Sequence, residues 1–478
     1  MLPPRTVRSP NISSDCPISL SMRPGAWAGL VLVLVLAGVS YAQIDTAWTF
    51  KYAGAAGTNY EPLASFVDSR SATSYVYVAG WAEQPTGEVD ALLLKITADS
   101  GHFVWAKTYY NMTASGAAMD TSGNIYIAGI THGTSAAGKI CILKYSPSGD
   151  TWTRTYGEQG LSFTSVGTIA LDSSQNVYAG GCSDSAVRIV KYLPNGMLAA
   201  VDSFAPSSPM RLWGGQFHIL NDGEAYLATT VERPSGNLGC LVAKLSNQGL
   251  VWERTYRDTG SDYEWMRWSE VDSDASIYFT GEAESAVYGT EDFCTTKVNS
   301  LGATVWTAEY IGPEGLRAQP RFMLLSNGSV YVAGWSVHKY MGENEATALV
   351  KYDSLGNQQW ARRFGAEDDS DADVGYEFFS DEGSPKPHAY SINADDSGNV
   401  YLTGDLTHER VIGCDMFLLK YNPQGSLVWF RDFGYPAQLL HGATVTIDRT
   451  GSIYNVGICE QEGTNTSILV VKYLGGEK

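Results

Sequence analysis

Basic side chains are scarce in this chain of 478 residues: 32 Lys and Arg stand against 51 Asp and Glu, a formal net charge of −19. Binding a phosphate backbone takes a basic stripe, and none occurs, so nucleic acid is disfavoured as a partner. Histidine is also sparse, at seven residues, and no His-Glu-x-x-His zinc helix, phosphate-cradling glycine loop or Gly-x-Ser-x-Gly elbow is present. Catalysis therefore has no motif to rest on. A long hydrophobic run is missing too: residues 26–39 form an apolar stretch of 14, short of the ~20 residues a membrane-crossing helix requires.

That short stretch follows Arg23 and precedes Ser40-Tyr41-Ala42, with small residues three before and immediately before a cut after Ala42. The pattern is that of a secretory signal peptide, with Met22 as a possible true start and a retained signal-anchor as the competing reading. Cleavage removes Arg5, Arg8, Arg23, Asp15 and Cys16, leaving 29 basic and 50 acidic side chains and a net charge of −21. The expectation is an exported protein, secreted, periplasmic or at the cell surface, with no membrane span after cleavage. Six cysteines remain, and each falls in a different copy of the repeat described next, which excludes a disulfide within one copy.

What the sequence has in plenty is glycine (50) and tyrosine (28), the profile of turn-rich, aromatic-rich β structure. These residues recur with a period of roughly 50. The strongest landmark is a Lys closing an apolar segment, at Lys95, Lys144, Lys191, Lys244, Lys297, Lys351, Lys420 and Lys472. Upstream of each comes a Tyr-x-x-Gly step beginning at Tyr77, Tyr126, Tyr178, Tyr226, Tyr278, Tyr331, Tyr401 or Tyr454, with only Tyr226 lacking the glycine. Downstream of six of them lies Trp-x-x-x-Tyr/Phe, from Trp105, Trp152, Trp252, Trp306, Trp360 and Trp429; the third copy degenerates to Asp202-Ser203-Phe204. After Lys472 the Trp element is missing, whereas Trp48-Thr49-Phe50-Lys51-Tyr52 has that form with no repeat before it. A closed ring joins the two orphans into one unit and leaves no open sheet edge. The expected fold is all-β, an eight-bladed β-propeller of four antiparallel strands per blade, closed by the N-terminal strand.

Blades are expected at about 60–109, 114–156, 163–204, 212–256, 264–310, 317–364, 387–433 and 440–473 plus 46–52, within one domain spanning 44–474. In the second, strands are predicted at about 114–120, 124–130, 138–145 and 151–156. Tight turns join first to second strands at Asp120-Thr-Ser-Gly-Asn124, Asp172-Ser-Ser-Gln-Asn176, Asp396-Ser-Gly-Asn399 and Asp448-Arg-Thr-Gly451, and third to fourth strands at Pro147-Ser-Gly149, Pro194-Asn-Gly196 and Pro423-Gln-Gly425. The landmarks Asp-x-x-Gly-Asn-x-Tyr-x-x-Gly and Leu-x-Lys-Tyr-x-x-x-Gly-x-x-x-Trp resemble the SBBP-type bacterial β-propeller repeat over residues 44–474. That resemblance implies a scaffold found in exported proteins of diverse role, and implies no activity. A weaker likeness is to eight-bladed quinoprotein propellers, but the adjacent cysteines that family places near its quinone are absent, which argues against a redox enzyme.

Function is expected on the face opposite the short turns, where the variable connections gather. Repeat position places Arg211, Trp213, Tyr263, Glu264, Trp265, Arg267, Trp268, Arg317, Arg321, His388 and His441 there. Trp and Tyr beside Arg and Glu suit stacking on sugar rings or anchoring of a peptide or envelope protein; packing between blades is the competing reading. The leading expectation is a binding module for a glycan or protein ligand. The alternatives are a polysaccharide hydrolase or lyase working at the same mouth, with Glu264 and Asp262 or Glu377 and Asp373 as the candidate carboxylate pair, and a structural envelope component. No cofactor is expected except calcium at the longest connection, residues 365–387, where Asp369, Asp371, Asp373 and Glu377 alternate like a calcium loop although Val374 and Ser380 occupy the positions an EF-hand gives to Gly and Glu. Isothermal titration with calcium tests this: a binding heat lost in Asp371→Asn supports an ion, and a flat titration leaves a solvated acidic loop.

Overall fold

The computed structural model describes residues 46–474 apart from the connecting stretches 133–136, 148–150, 184–185, 208–209, 221–223, 247, 257–263, 285–288, 313–314, 316, 338–344, 366–371, 375–385, 408–413, 436–437 and 462–464. Every regular element among the described residues is a β-strand, and no helix there is long and apolar enough to cross a membrane. Most strands form four-stranded antiparallel sheets in chain order, as in Met112–Met119, Ile125–His132, Gly138–Tyr145 and Trp152–Tyr156. First strands of successive sheets lie beside one another, and hydrophobic clusters fill the space between sheets. This is the layering of a β-propeller.

One sheet has eight strands, and it is two four-stranded groups joined by the single pairing of Cys414 with Leu439. Its second group combines Gln438–Ile447, Ile453–Gln461 and Ser467–Tyr473 with Thr46–Tyr52. Thr46–Tyr52 runs antiparallel to Ser467–Tyr473, with Trp48 opposite Lys472 and Tyr52 opposite Ile468. Strands from opposite ends of the chain thus share one sheet. The first strand of the chain's first sheet packs against this group, where Ser65 Oγ lies 2.5 Å from Thr446 Oγ1.

The repeat landmarks form a ladder across each sheet. Tyr126, Lys144 and Trp152 sit in register on adjacent strands, and Trp48 joins Lys472 and Tyr454 in the same way. All eight landmark lysines place their ammonium over the ring of the partner tyrosine, from Lys297 over Tyr278 at 4.7 Å to Lys144 over Tyr126 at 5.9 Å. At several junctions Lys and Trp then reach together into the next sheet, whereas Trp252 and Trp306 donate to Ser300 O and Ser354 O and Lys297 pairs with Asp272 of its own sheet at 3.3 Å. Lys144 Nζ and Trp152 Nε1 both donate to the Pro194 carbonyl, each at 3.1 Å. Lys351 and Trp360 converge likewise on Pro423 O, and Lys472 and Trp48 on Ala98 O at 2.7 and 3.3 Å. Trp429 Nε1 is buried without a hydrogen-bond partner among the described residues. The sheet it faces draws its last two strands from opposite chain ends, so it has no connecting turn to offer a carbonyl.

The Asp turns cap their own backbone as the sequence predicts: Asp120 accepts from the amides of Ser122 and Asn124, the Asn124 side chain and the Tyr126 hydroxyl. One assignment shifts, since in the turn before Asn399 the capping residue is Asp395 and not Asp396. Four residues before the Asn is the required spacing, and Asp395 holds it. The six cysteines of the described residues are buried thiols, and no disulfide joins one to another.

Every first-to-second strand pairing carries a register shift at an equivalent point, between Pro62 and Ala64 in the first sheet and between Gly442 and Thr444 in the last. This bulge explains the glycine of Tyr-x-x-Gly. A Cβ on Gly80, Gly129, Gly281, Gly334, Gly404 or Gly457 would lie 1.8 to 2.3 Å from a carbonyl oxygen just before the bulge, such as His388 O for Gly404. Where Tyr226 is followed by Thr229 instead, the opposing strand carries Gly214 and Gly215 at the bulge, and a Cβ there would meet Leu227 and Thr229. The close approach is kept and the glycine changes strands.

Two outcomes follow. Gly404→Ala should lower the unfolding free energy by about 1–3 kcal/mol, because backbone must move to admit the methyl group, as denaturant titration will measure. Deleting residues 44–52 withdraws the partly buried Trp48, Phe50 and Tyr52 from their cluster and bares the Ser467–Tyr473 edge. It should cost at least ~3 kcal/mol at the usual worth of buried aromatics and promote aggregation; an unchanged melting temperature would contradict the strand pairing.

Candidate functional site

The bulge controls which side chains reach the end of the sheets away from the Asp turns. The residue left unpaired in each bulge is turned out of the ladder; these residues include Arg267, Arg321 and Tyr390 in three consecutive sheets. Two groups of polar side chains gather there.

The first spans the sheets that begin at Arg211, Glu264 and Ala318. The Arg211 guanidinium lies 4.5 Å from the Trp213 ring centre, Arg267 lies 5.5 Å from Trp265, and Arg317 lies 5.4 Å from Trp335. Trp213 and Trp265 pack ring to ring at 5.8 Å, linking two sheets. Each cation has an acid nearby. Arg267 pairs with Glu282 at 2.5 Å and Arg317 with Glu291 at 2.6 Å, Trp213 Nε1 donates to Glu232 at 3.1 Å, and Gln319 Nε2 bridges Glu282 and Glu291. Burial pushes the Glu282 carboxyl up, and the Arg267 charge opposes it. The surface is aromatic and its charges are balanced.

The second group joins the next sheets. His388 Nε2 lies 2.6 Å from Glu345 Oε2, while its Nδ1 faces Asp405 Oδ1 at 3.8 Å. His441 Nδ1 lies 2.9 Å from Asp405 Oδ2, and Cys414 Sγ lies 3.6 Å from that oxygen and 3.9 Å from His441 Nδ1. Tyr390 stands beside them, 42% exposed. The Glu345 hydrogen bond raises the His388 pKa, burial opposes the rise, and Asp405 adds to it. Burial raises the Tyr390 phenol, with the Asp405 carboxylate reinforcing it and the Arg321 charge opposing it.

Of the residues expected here from sequence, Arg211, Trp213, Trp265, Arg267 and Arg317 meet in the first group, and His388 and His441 in the second. Arg321 is exposed between them. Trp268 departs from the expectation: it packs edge-on against Phe322 at 5.4 Å and donates to Glu270, belonging to the layer between sheets. Tyr263 lies outside the described residues, as do Asp262, Asp369, Asp371 and Glu377; of Glu264 and Asp373 only the backbone is described, in strands. Sequence reasoning missed Tyr390, Asp405, Cys414, Glu345, Glu282 and Trp335. A signal for two of them was present. The residue after the Tyr-x-x-Gly glycine is Trp81, Ile130, Cys182, Trp335 or Ile458 in other copies, but acidic at Glu282 and Asp405.

No protein-family model matches the chain, and no curated protein matches it in sequence. Among solved structures, the polysaccharide lyase Uly1 superimposes with a TM-score of 0.45 at 9% identity, over 76% of this chain and 89% of that one. The WD40 β-propeller domain of Doa1 gives 0.39 at 12%, over 77% and 94%, and Drosophila plexin A, solved with semaphorin 1b, gives 0.41 at 11%, over 90% and 88%. Their names describe unrelated roles.

Towards the other end of the strand that begins at Arg211, His218 Nε2 lies 2.7 Å from Ser269 Oγ, and the surrounding protein holds its pKa down to about 4 by desolvation. The unfolded value is ~6.5, so the unfolded chain takes up the proton first. The stability at stake is fully present above that value and is lost as pH falls towards 4, by up to about 3 kcal/mol. Denaturation at pH 7.5 and pH 5 should show this slope in the wild type and a flatter one in His218→Asn.

Proposed function

We propose that the mature chain is an exported, closed eight-bladed β-propeller of the SBBP repeat type that binds a glycan on the face away from its Asp turns. Closure is supported by Trp48 and Lys472 meeting at Ala98 O, and the count by eight Tyr-Lys ladders of one geometry. Export rests on the leader-like residues 22–42.

The observation that carries the binding reading is the arc of Arg-Trp pairs on three consecutive sheets. Indole faces cover the apolar side of a sugar ring, while the paired Arg and Glu side chains exchange hydrogen bonds with its hydroxyls. Because the cations are matched by Glu232, Glu282 and Glu291, the arc suits a neutral or weakly charged saccharide better than a polyanion. A peptide or envelope protein would use the same aromatic anchors. On a glycan array, the wild type should bind a defined set of saccharides, and Trp213→Ala and Trp265→Ala should each weaken binding at least tenfold, ~1.4 kcal/mol. Unchanged binding in both variants would remove the arc from the reading.

A polysaccharide lyase or hydrolase is the second reading, favoured by Tyr390. Its half-exposed phenol stands beside Asp405, His388 and Arg321, and its raised pKa keeps it protonated as an acid. Release of reducing ends by the wild type and its loss in Tyr390→Phe would establish catalysis, whereas glycan binding without product from any bound saccharide would leave a binding module.

A further inference from the structure

We propose that Asp405, Cys414, His441 and His388 form a zinc site that ties two sheets together at the end where the polar groups gather. The carboxylate, thiol and imidazole of Asp405, Cys414 and His441 bring one ligand atom each to within 4.8 Å of one another. Around a tetrahedral zinc with bonds of ~2.0–2.3 Å, ligand atoms stand roughly 3.3–3.6 Å apart. The measured separations are 3.6 Å for sulfur to oxygen, 3.9 Å for sulfur to nitrogen and 2.9 Å for nitrogen to oxygen. Side-chain shifts of about half an ångström bring all three to that geometry, with no backbone movement.

Two further features border the cluster: Asp405 Oδ1, the oxygen turned away from Cys414 and His441, and His388. Asp405 is 4% exposed, and its Oδ1 has no hydrogen-bond partner among the described residues. A buried carboxylate oxygen left so is costly unless something positive meets it. The second is His388. Its Nε2 donates to the Glu345 carboxylate and its Nδ1 faces Asp405 Oδ1 at 3.8 Å, so an arriving cation that displaced the Nδ1 proton would find a lone pair there. An imidazole whose far nitrogen donates to a carboxylate is the arrangement of a zinc-bound histidine; His388 stands outside the converging trio, and a turn of its ring toward them would make it the fourth ligand.

The donor set selects the metal. One thiolate, one carboxylate and two neutral imidazoles suit zinc, whereas calcium and magnesium take oxygen ligands and avoid sulfur. Thiolate and carboxylate together balance the +2 charge, and the thiol proton is released on binding. With four protein ligands the ion has no open position and is structural. His388, Asp405 and Cys414 belong to one four-stranded group and His441 to the next, so the ion would add a link to the Cys414–Leu439 pairing, the Thr403–Asn455 hydrogen bond and the apolar cluster that already join them. This zinc is distinct from the calcium considered for residues 369–377.

The test uses the purified mature chain stripped with chelator and titrated with zinc, then separately with cobalt as a spectroscopic substitute. The expected result is one zinc per chain, a thiolate-to-cobalt charge-transfer band, and protection of Cys414 from alkylation when zinc is present, read by peptide mass spectrometry. Cys414→Ser should abolish the band and weaken zinc binding at least tenfold, and Glu345→Gln should weaken it while keeping the band. Cys240→Ser, at a buried cysteine elsewhere, should change neither. Should Cys414→Ser fail to fold, Cys414 protection in the wild type decides alone. Less than equimolar zinc at micromolar concentration, or zinc that leaves Cys414 as reactive as in its absence, would overturn the proposal. Glycan binding is read separately on the Trp213 arc, so failure of either result leaves the other standing.

Discussion

A single backbone carbonyl in the turn between third and fourth strands is the point on which neighbouring sheets are fastened. Pro194 O receives both the lysine and the indole of the preceding sheet, and Pro423 O and Ala98 O repeat the arrangement. The bond gains strength because its lysine is charged and part-buried, and because the Tyr and Trp rings flanking it exclude water. Three residue types on three strands are needed to build one such joint. That is why Tyr, Lys and Trp persist through the repeat while loops and exposed positions vary.

The second constraint is the bulge. One extra residue in each first strand bends it, and in six copies this forces a carbonyl against the next strand, which demands glycine there; the same extra residue is what turns Arg267, Arg321 and Tyr390 out of the sheet. Scaffold and site are coupled through that residue. The bulge is kept in every copy, with the glycine opposite its carbonyl in six of them, whereas the bulged residue itself differs from sheet to sheet, as Leu63, Ser115 and Ala443 do. A repeat protein built this way can vary its binding face without disturbing the joints on the opposite side.

This division explains what could be read from the residues alone. The ladder was legible because Tyr and Lys recur in the same order in every copy, with Trp after them in most, and the pairing of Trp48 with the segment ending at Lys472 followed from two orphan pieces of one pattern. The bulge was not legible, since an added residue in a strand leaves no fixed mark beside the glycine. Without it, Trp268 was placed among the site residues, although the shift at the bulge sends it between sheets to Phe322. Asp405, Cys414 and His441 come from different strands of two sheets, and no linear spacing joins them. Only the acidic residue after Gly404, out of keeping with its counterparts, hinted at a polar centre.

The pairing of the two chain ends also has a mechanical meaning. Thr46 and Tyr473 are direct neighbours in antiparallel register, so a pull applied between them loads the hydrogen bonds one pair at a time, as a zipper opens, and not all together in shear. The seam is then the softest element along that axis, while the joints at Pro194 and Pro423 carry no load until it has parted. A protein tethered at both ends would open there first, releasing a single strand as an extensible leash while the remaining sheets stay folded.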